Sequence, residues 1–343
     1  MKKLLNTLYV LSNENYLTLD GENVVVMHAK DALGRFPLHT LENIISFTYK
    51  GASPALMGAC AERNVGLTFF SPFGKFLARS SGKSRGNVLL RKEQYRISDD
   101  IERSCLYARN MIVGKIYNCR WNLERTIRDH ALRVDADKIK AISNELYKVL
   151  PELRACKELD HLRGIEGELA ARYFSAFNEL IINQKEDFIF KNRSKRPPMD
   201  LVNALLSFAY TILAGDCANA LESVGLDAYV GFMHRDRPGR QSLALDLMEE
   251  LRSVCADRFV LTLINLKIIR KEHFSIQKDG AVLLTDEGRK IFFKAWQSHK
   301  KEVITHPFLK EKVEWGLVPH VQAMLLARTI RGDLEEYPPF LWK

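Results

Sequence analysis

Three short stretches of this 343-residue chain hold the side chains most able to do chemistry. Gly164–Glu168 (GIEGE) supplies Glu166, Gly231–His234 (GFMH) supplies His234, and Ser242–Glu250 (SLALDLMEE) supplies Asp246 and Glu249. Carboxylates with one imidazole form the ligand set of a hard divalent cation that grips a phosphate. Each residue also has a plainer reading. Glu166 is expected to open a helix with Leu169, Ala170, Tyr173 and Phe174 on its own side. A carboxylate at the edge of that apolar stripe must be paired, protonated or metal-bound, and Arg163 or Arg172 would serve as its partner. Asp246 and Glu249, three apart, project from one side of a helix that Ser242 would cap, beside a stripe of Leu243, Leu247, Leu251 and Val254. Acid pairs at this spacing also serve ordinary neighbours such as Arg252, and Glu250 competes with Glu249 for any role. A lone histidine is more often a hydrogen-bonded structural residue than a ligand. Arg235, Arg237 and Arg240 follow His234, however, and could hold the nonbridging oxygens of a phosphate.

These residues need elements to position them. The first part is β-prone, with short runs at Leu4–Leu11, Tyr16–Leu19, Val24–Met27, Ile44–Phe47, Gly66–Phe70 and Phe76–Ala78, and with Asp20-Gly21 as a hairpin signal. Ser53-Pro54 opens one helix to about Arg63. A polar stretch, Ser80–Asn87 (SSGKSRGN), precedes a boundary near residues 90 to 98. Beyond it the pattern predicts helices at about 99–132, 135–149, 157–182, 200–222, 242–255, 257–271, 286–301 and 320–332. Pro197-Pro198 forces extended backbone and Asp200 can cap the next helix. Phe274–Leu284 reads as a hairpin turned by Asp279-Gly280, and Pro338-Pro339 marks a non-helical tail. The expected fold class is α+β: a small N-terminal β-rich domain, residues 1–95, followed by a larger all-helical C-terminal domain, residues 96–343.

Composition narrows the function. The net charge is +9, and residues 79–133 hold 13 basic and 6 acidic side chains. Neutralising phosphates releases counterions, so a polyanion is the natural partner for such a concentration. Apolar runs read as too short for a membrane span, and the signal-like start Met1-Lys2-Lys3 lacks a cleavage site. The six cysteines are scattered without zinc spacing, which fits reduced core residues in a cytoplasmic protein. Gly82-Lys83-Ser84 imitates a phosphate-binding loop, but Leu77 stands where its first glycine is required. No G-x-S-x-G nucleophile elbow occurs.

Together, LRGIEGELAARYF, RPPMDLVNALLSFAYTIL and GLDAYVGFMHRDRPGRQSLALDLMEELR resemble the core blocks of the CRISPR-associated adaptation endonuclease, the metal-dependent integrase that inserts new spacers into CRISPR arrays. LTDEGRKIFF is similar to a block those proteins carry near the C-terminus, and the length and the ending PPFLWK resemble the type I-C branch. The resemblance spans essentially the whole chain. It implies Mn²⁺ or Mg²⁺ held by Glu166, His234 and Glu249, with Asp246 in a supporting catalytic role. The order of Asp246 and Glu249 as the closer ligand stays open. It also implies a homodimer, N-terminal domains that make dimer and partner contacts, a small second adaptation protein, and DNA as substrate, both prespacer duplex and CRISPR repeat. The competing classes are a general nuclease of branched DNA or RNA, and a non-catalytic nucleic-acid scaffold.

Overall fold

A two-residue turn sets the first hairpin: β1 (Thr7–Val10) is followed by β2 (Asn15–Asp20) and β3 (Asn23–His28), and Gly21 takes φ +58° between the last two. In this computed structural model the described residues are 6–63, 65–71, 76–80, 88–194 and 197–343. The signal-like start, most of Ser80–Asn87 and the Gly82-Lys83-Ser84 motif lie outside them. β4 (Asp31–Pro37) adds a third antiparallel strand to β3. Its side chains are almost all exposed, so DALGRFP carries no alternating pattern that would have flagged a strand. β5 (Asn43–Ser46), α1 (Pro54–Arg63), β6 (Gly66–Phe70) and β7 (Phe76–Ser80) follow. A second sheet has the order β1-β5-β6-β7, parallel except for the last pair. Leu17, Val24, Ile44, Leu56 and Leu67 are buried in the core between the sheets and α1. Ser53 caps α1, its Oγ accepting from the Leu56 amide at 3.2 Å.

The helical part comprises α2 (Val88–Asp99), α3 (Ile101–His130), α4 (Ala136–Ala155), α5 (Leu159–Ser175), α6 (Leu201–Ser223), α7 (Ser242–Leu251) and α8 (Arg258–Asn265). The hairpin β8 (Phe274–Ile276) and β9 (Val282–Leu284), α9 (Asp286–Lys300), the hairpin β10 (Val303–Thr305) and β11 (Lys312–Glu314), and α10 (Val318–Ile330) complete the chain. The α+β class holds, with β-rich structure first and helical structure after it. The chain divides into two compact units, residues 1–85 with 283–302, and residues 86–282 with 303–343. In the first, α9 returns to the sheet, and Phe293 stacks on Tyr9 with centroids 4.0 Å apart.

Within the second unit several expectations change. Residues 88–99, where a boundary was expected near 90 to 98, are helical: the buried face of α2 is Leu90, Gln94 and Ile97, and the polar middle residue hides the stripe. The helix expected at 157–182 ends at Ser175 and continues as a 3₁₀ turn, Phe177–Leu180. The two helices expected at 242–255 and 257–271 form one rod, α7 and α8 joined by a π-helical segment, Arg252–Asp257, that stops at Asn265. Ser242 is the first residue of α7 and not its cap; no side chain caps that end. The reading of apolar runs as too short for a membrane also fails on length. α6 is long and apolar enough to cross one, with mean hydropathy 1.5, and 56% of that window is buried inside the protein. It packs on α7, α8 and α10.

Candidate metal centre

α3, α5 and α7 converge through their apolar faces, and each carries charge into the place where they meet. On α5 the buried residues Leu162, Leu169 and Tyr173 recur at helical spacing, and Glu166 falls on the same stripe. It lies in the middle of that helix, since α5 begins at Leu159. On α3, Lys115 sits among buried Met111, Ile112, Ile116 and Cys119. On α7, Asp246, Glu249 and Glu250 are all buried with Leu243, Leu247 and Leu251.

Asp246 and Glu249 take different jobs. The Asp246 carboxylate accepts the backbone amides of Phe232, Met233 and His234 at 2.6, 2.9 and 3.0 Å, and contacts His234 Nδ1 at 2.5 Å. Its oxygens already act as acceptors, so the proton of that last bond is assigned to Nδ1 and the lone pair to Nε2. Nε2 lies 3.9 Å from Glu249 Oε1. A carboxylate holding one imidazole nitrogen so that the other faces the site is the usual way a metal-binding histidine is oriented. Gly231 makes the close approach possible: a Cβ there would lie 2.8 Å from Asp246 Oδ2 and 2.9 Å from the Ser242 backbone. The loop is further tied to α2, where Ser98 donates to Gly231 O at 2.7 Å and Gln94 to Asp227 O and Val230 O at 2.8 Å each.

Glu249 is surrounded by cations. Arg252 Nη2 donates to its Oε1 at 2.8 Å, and Lys115 Nζ lies 2.7 Å from its Oε2. That ammonium approaches off the hydrogen-bonding direction, and Oε2 is a buried oxygen without a hydrogen bond. Burial works to raise the Glu249 pKa, but the charges of Arg252 and Lys115 outweigh it and bring it down to about 2. Glu166 meets the same ammonium through Oε1. Its expected partners are engaged elsewhere, Arg163 with Met233 O and Asp160, and Arg172 with Glu145 and Glu168.

Glu166 and Glu249 therefore meet on Lys115, His234 Nε2 faces Glu249, and Asp246 stands behind the histidine. Among the described residues no group of three or more acids, histidines or cysteines forms a ready metal cage, because the lysine lies between the carboxylates. The donor set nevertheless fits a hard cation: the Nε2 of His234 and two carboxylates, one of whose oxygens, Glu249 Oε2, is buried without a hydrogen bond. The residue that sequence reasoning missed is Lys115, and its signal was a lysine on an apolar helical stripe. Of the loop arginines, Arg235 donates to exposed Asp160 at 3.2 Å.

A cleft of about 470 Å³ opens beside Glu166 and Lys115. Its walls include Phe174, Lys191, Arg193 and Tyr210. The guanidiniums of Arg193 and Arg252 lie 5.2 and 4.9 Å from the Tyr210 ring centroid, and the Tyr210 hydroxyl donates to Asp257 at 2.5 Å. Burial raises the Asp257 pKa to about 6 despite that bond.

Known proteins carry the same fold. A family model described as CRISPR associated protein Cas1 matches residues 8–298. The CRISPR-associated endonuclease Cas1 1 of Chlorobaculum tepidum is 46% identical over 343 residues, the whole of both chains. A casposase bound to integration product superposes with TM-score 0.84 at 21% identity, covering 98% of this chain and 94% of that one. A Cas6-RT-Cas1–Cas2 complex does so with TM-score 0.81 at 22% identity, covering 98% of this chain and 36% of that one. Identity this high along the full length, added to a family match that takes in all four candidate residues, makes the descent plain: the chain belongs to the Cas1 family.

Proposed function

We propose that this Cas1-family chain is a divalent-cation-dependent DNA endonuclease and integrase that inserts new spacers into a CRISPR array. The observation that carries this reading is the imidazole of His234, locked through Nδ1 by Asp246 with Nε2 turned toward Glu249. Glu166, His234 and Glu249 would hold Mn²⁺ or Mg²⁺, and Asp246 positions the histidine without ligating. Once bound, the cation supplies charge neutralisation at the scissile phosphate and polarises its phosphorus–oxygen bonds. The chain's own groups do the rest. Lys115 and Arg252 set a positive background beside the acids, and the adjoining cleft, walled by Lys191 and Arg193, would receive the DNA beside them. The donor's 3′-hydroxyl oxygen forms a bond to phosphorus as the target strand's 3′-oxygen leaves, so the number of phosphodiesters is conserved. With water as nucleophile the same site cuts.

Full-length identity to a relative named an endonuclease supports the activity. The fold shared with a casposase bound to integration product and with a complex containing Cas2 supports DNA and a small second protein as partners. A homodimer joined through the β-rich part and a cytoplasmic location complete the proposal.

The deciding experiment uses the chemical identity of the donor end. With the partner protein and Mg²⁺ or Mn²⁺, a normal donor should join a repeat-containing target, and a 3′-dideoxy donor should bind and give no joined product. Equal cutting of target with either donor, and joining with neither, would return the protein to the plain nucleases. Glu166→Gln, His234→Ala and Glu249→Gln should each lower joining at least about 100-fold, with helical circular dichroism retained. Asp246→Asn should lower it about 10- to 100-fold through the misplaced imidazole.

A further inference from the structure

Lys115 is a costly residue for its position. It is only 4% exposed, on an apolar stripe of α3, and its ammonium bridges Glu166 Oε1 and Glu249 Oε2. Without the ammonium, two carboxylates would face one another across a buried gap, with Arg252 balancing only the far oxygen of Glu249. The ammonium thus occupies the oxygens that a cation would need. Lysine is also well suited to leave, because a flexible four-carbon stem carries a single point charge.

We propose that Lys115 is a positioning residue that keeps the cation's seat: it holds Glu166 and Glu249 together in the cation-free protein and is displaced from between them when the cation binds. The proposal rests on the cation site described above. Cation binding becomes an exchange of one positive group for another, which lowers apparent affinity by the fraction of time the seat is taken. It also releases an ammonium beside the reacting phosphate only when the site is loaded.

Calorimetric titration of the full chain with Mn²⁺, without DNA, tests this. Lys115→Met and Lys115→Gln should bind Mn²⁺ more tightly than wild type by about tenfold or more, and Mn²⁺ should raise their melting temperatures more steeply. His234→Ala should lose the binding. Affinity equal to or weaker than wild type in both lysine variants, with binding lost in His234→Ala, overturns the seat-keeping role and leaves the cation site standing. Undiminished binding in His234→Ala overturns the cation site and this proposal with it. Should either lysine variant fold only with Mn²⁺ present, the cation has replaced the lost charge, as proposed. A measurement on the wild-type chain needs no variant: saturating Mg²⁺ should shift the Lys115 ¹⁵Nζ resonance, and an unmoved resonance beside shifted His234 signals refutes the displacement.

Discussion

Glu249 and Glu250 are neighbours of one type, both buried, with opposite electrostatics. Glu249 faces Lys115 and Arg252 and is held down to about 2. Glu250 faces the C-terminal tail, accepting from the Tyr337 hydroxyl, Gln322 Nε2 at 3.0 Å and the Phe340 amide at 2.6 Å. With no cation beside it, burial raises it to about 7 against those bonds. The signs for stability differ accordingly. Glu249, depressed, contributes stability that is present above its ordinary 4.5 and lost as pH falls toward about 2. Glu250, raised, contributes stability that is full below 4.5 and lost as pH rises through about 7. A difference of that size is worth about 3 kcal/mol. Between pH 5 and 8 only Glu250 of this pair titrates. The urea midpoint of wild type should therefore fall over that interval more than that of Glu250→Gln, by an amount equivalent to roughly 1–3 kcal/mol. Parallel curves would place the proton uptake elsewhere. Sequence alone could not separate the two residues, since the hundred degrees of helix rotation that sends one to the site and the other to the tail depends on what packs on each face.

At the scale of elements, the candidate-site stretches were legible because each pairs a chemical residue with a constraint on backbone: a close-packing glycine in GFMH, and acids set three apart on α7. α5 and α6 were legible from apolar periodicity. α2 was not, because its stripe contains Gln94, a polar residue spent on the carbonyls of the histidine loop. The join between α7 and α8 was misread because a π-helical turn breaks the 3.6-residue period on which the reading depends. That segment places Arg252 on Glu249 and Asp257 on Tyr210. A π segment is in effect an α-helix with one residue added, so removing Val254 should let it close to α geometry while α7 and α8 keep their faces. The variant is expected to fold, to lose the Tyr210–Asp257 bond and to lower joining at least about tenfold. Unchanged joining would mean that the π turn matters only for packing.

At the scale of the whole molecule, many of the basic side chains of residues 79–133 are already paired within the chain. Arg103 pairs with Glu93, Arg109 with Glu336, Lys115 with Glu166 and Glu249, Arg120 with Glu124, and Arg125 and Arg128 with Asp129. Arg133 is bound to Ile182 O and Asn183. Exposed Lys92 and half-buried Arg91 on α2 are better placed to meet phosphates. Replacing both by Ala should reduce the slope of log affinity against log salt by about 2, roughly one per phosphate contact, whereas Arg109→Ala should leave it nearly unchanged. An unaltered slope in the first variant would assign that face to something other than DNA. α6 gives the molecule a different liability. Folded, this 23-residue apolar helix spends its hydrophobicity on α7, α8 and α10. Unfolded, the same segment has the length and composition of a lipid-soluble span, so a chain that loses its native packing gains a second solvent competing with refolding, and any bilayer within reach becomes a trap.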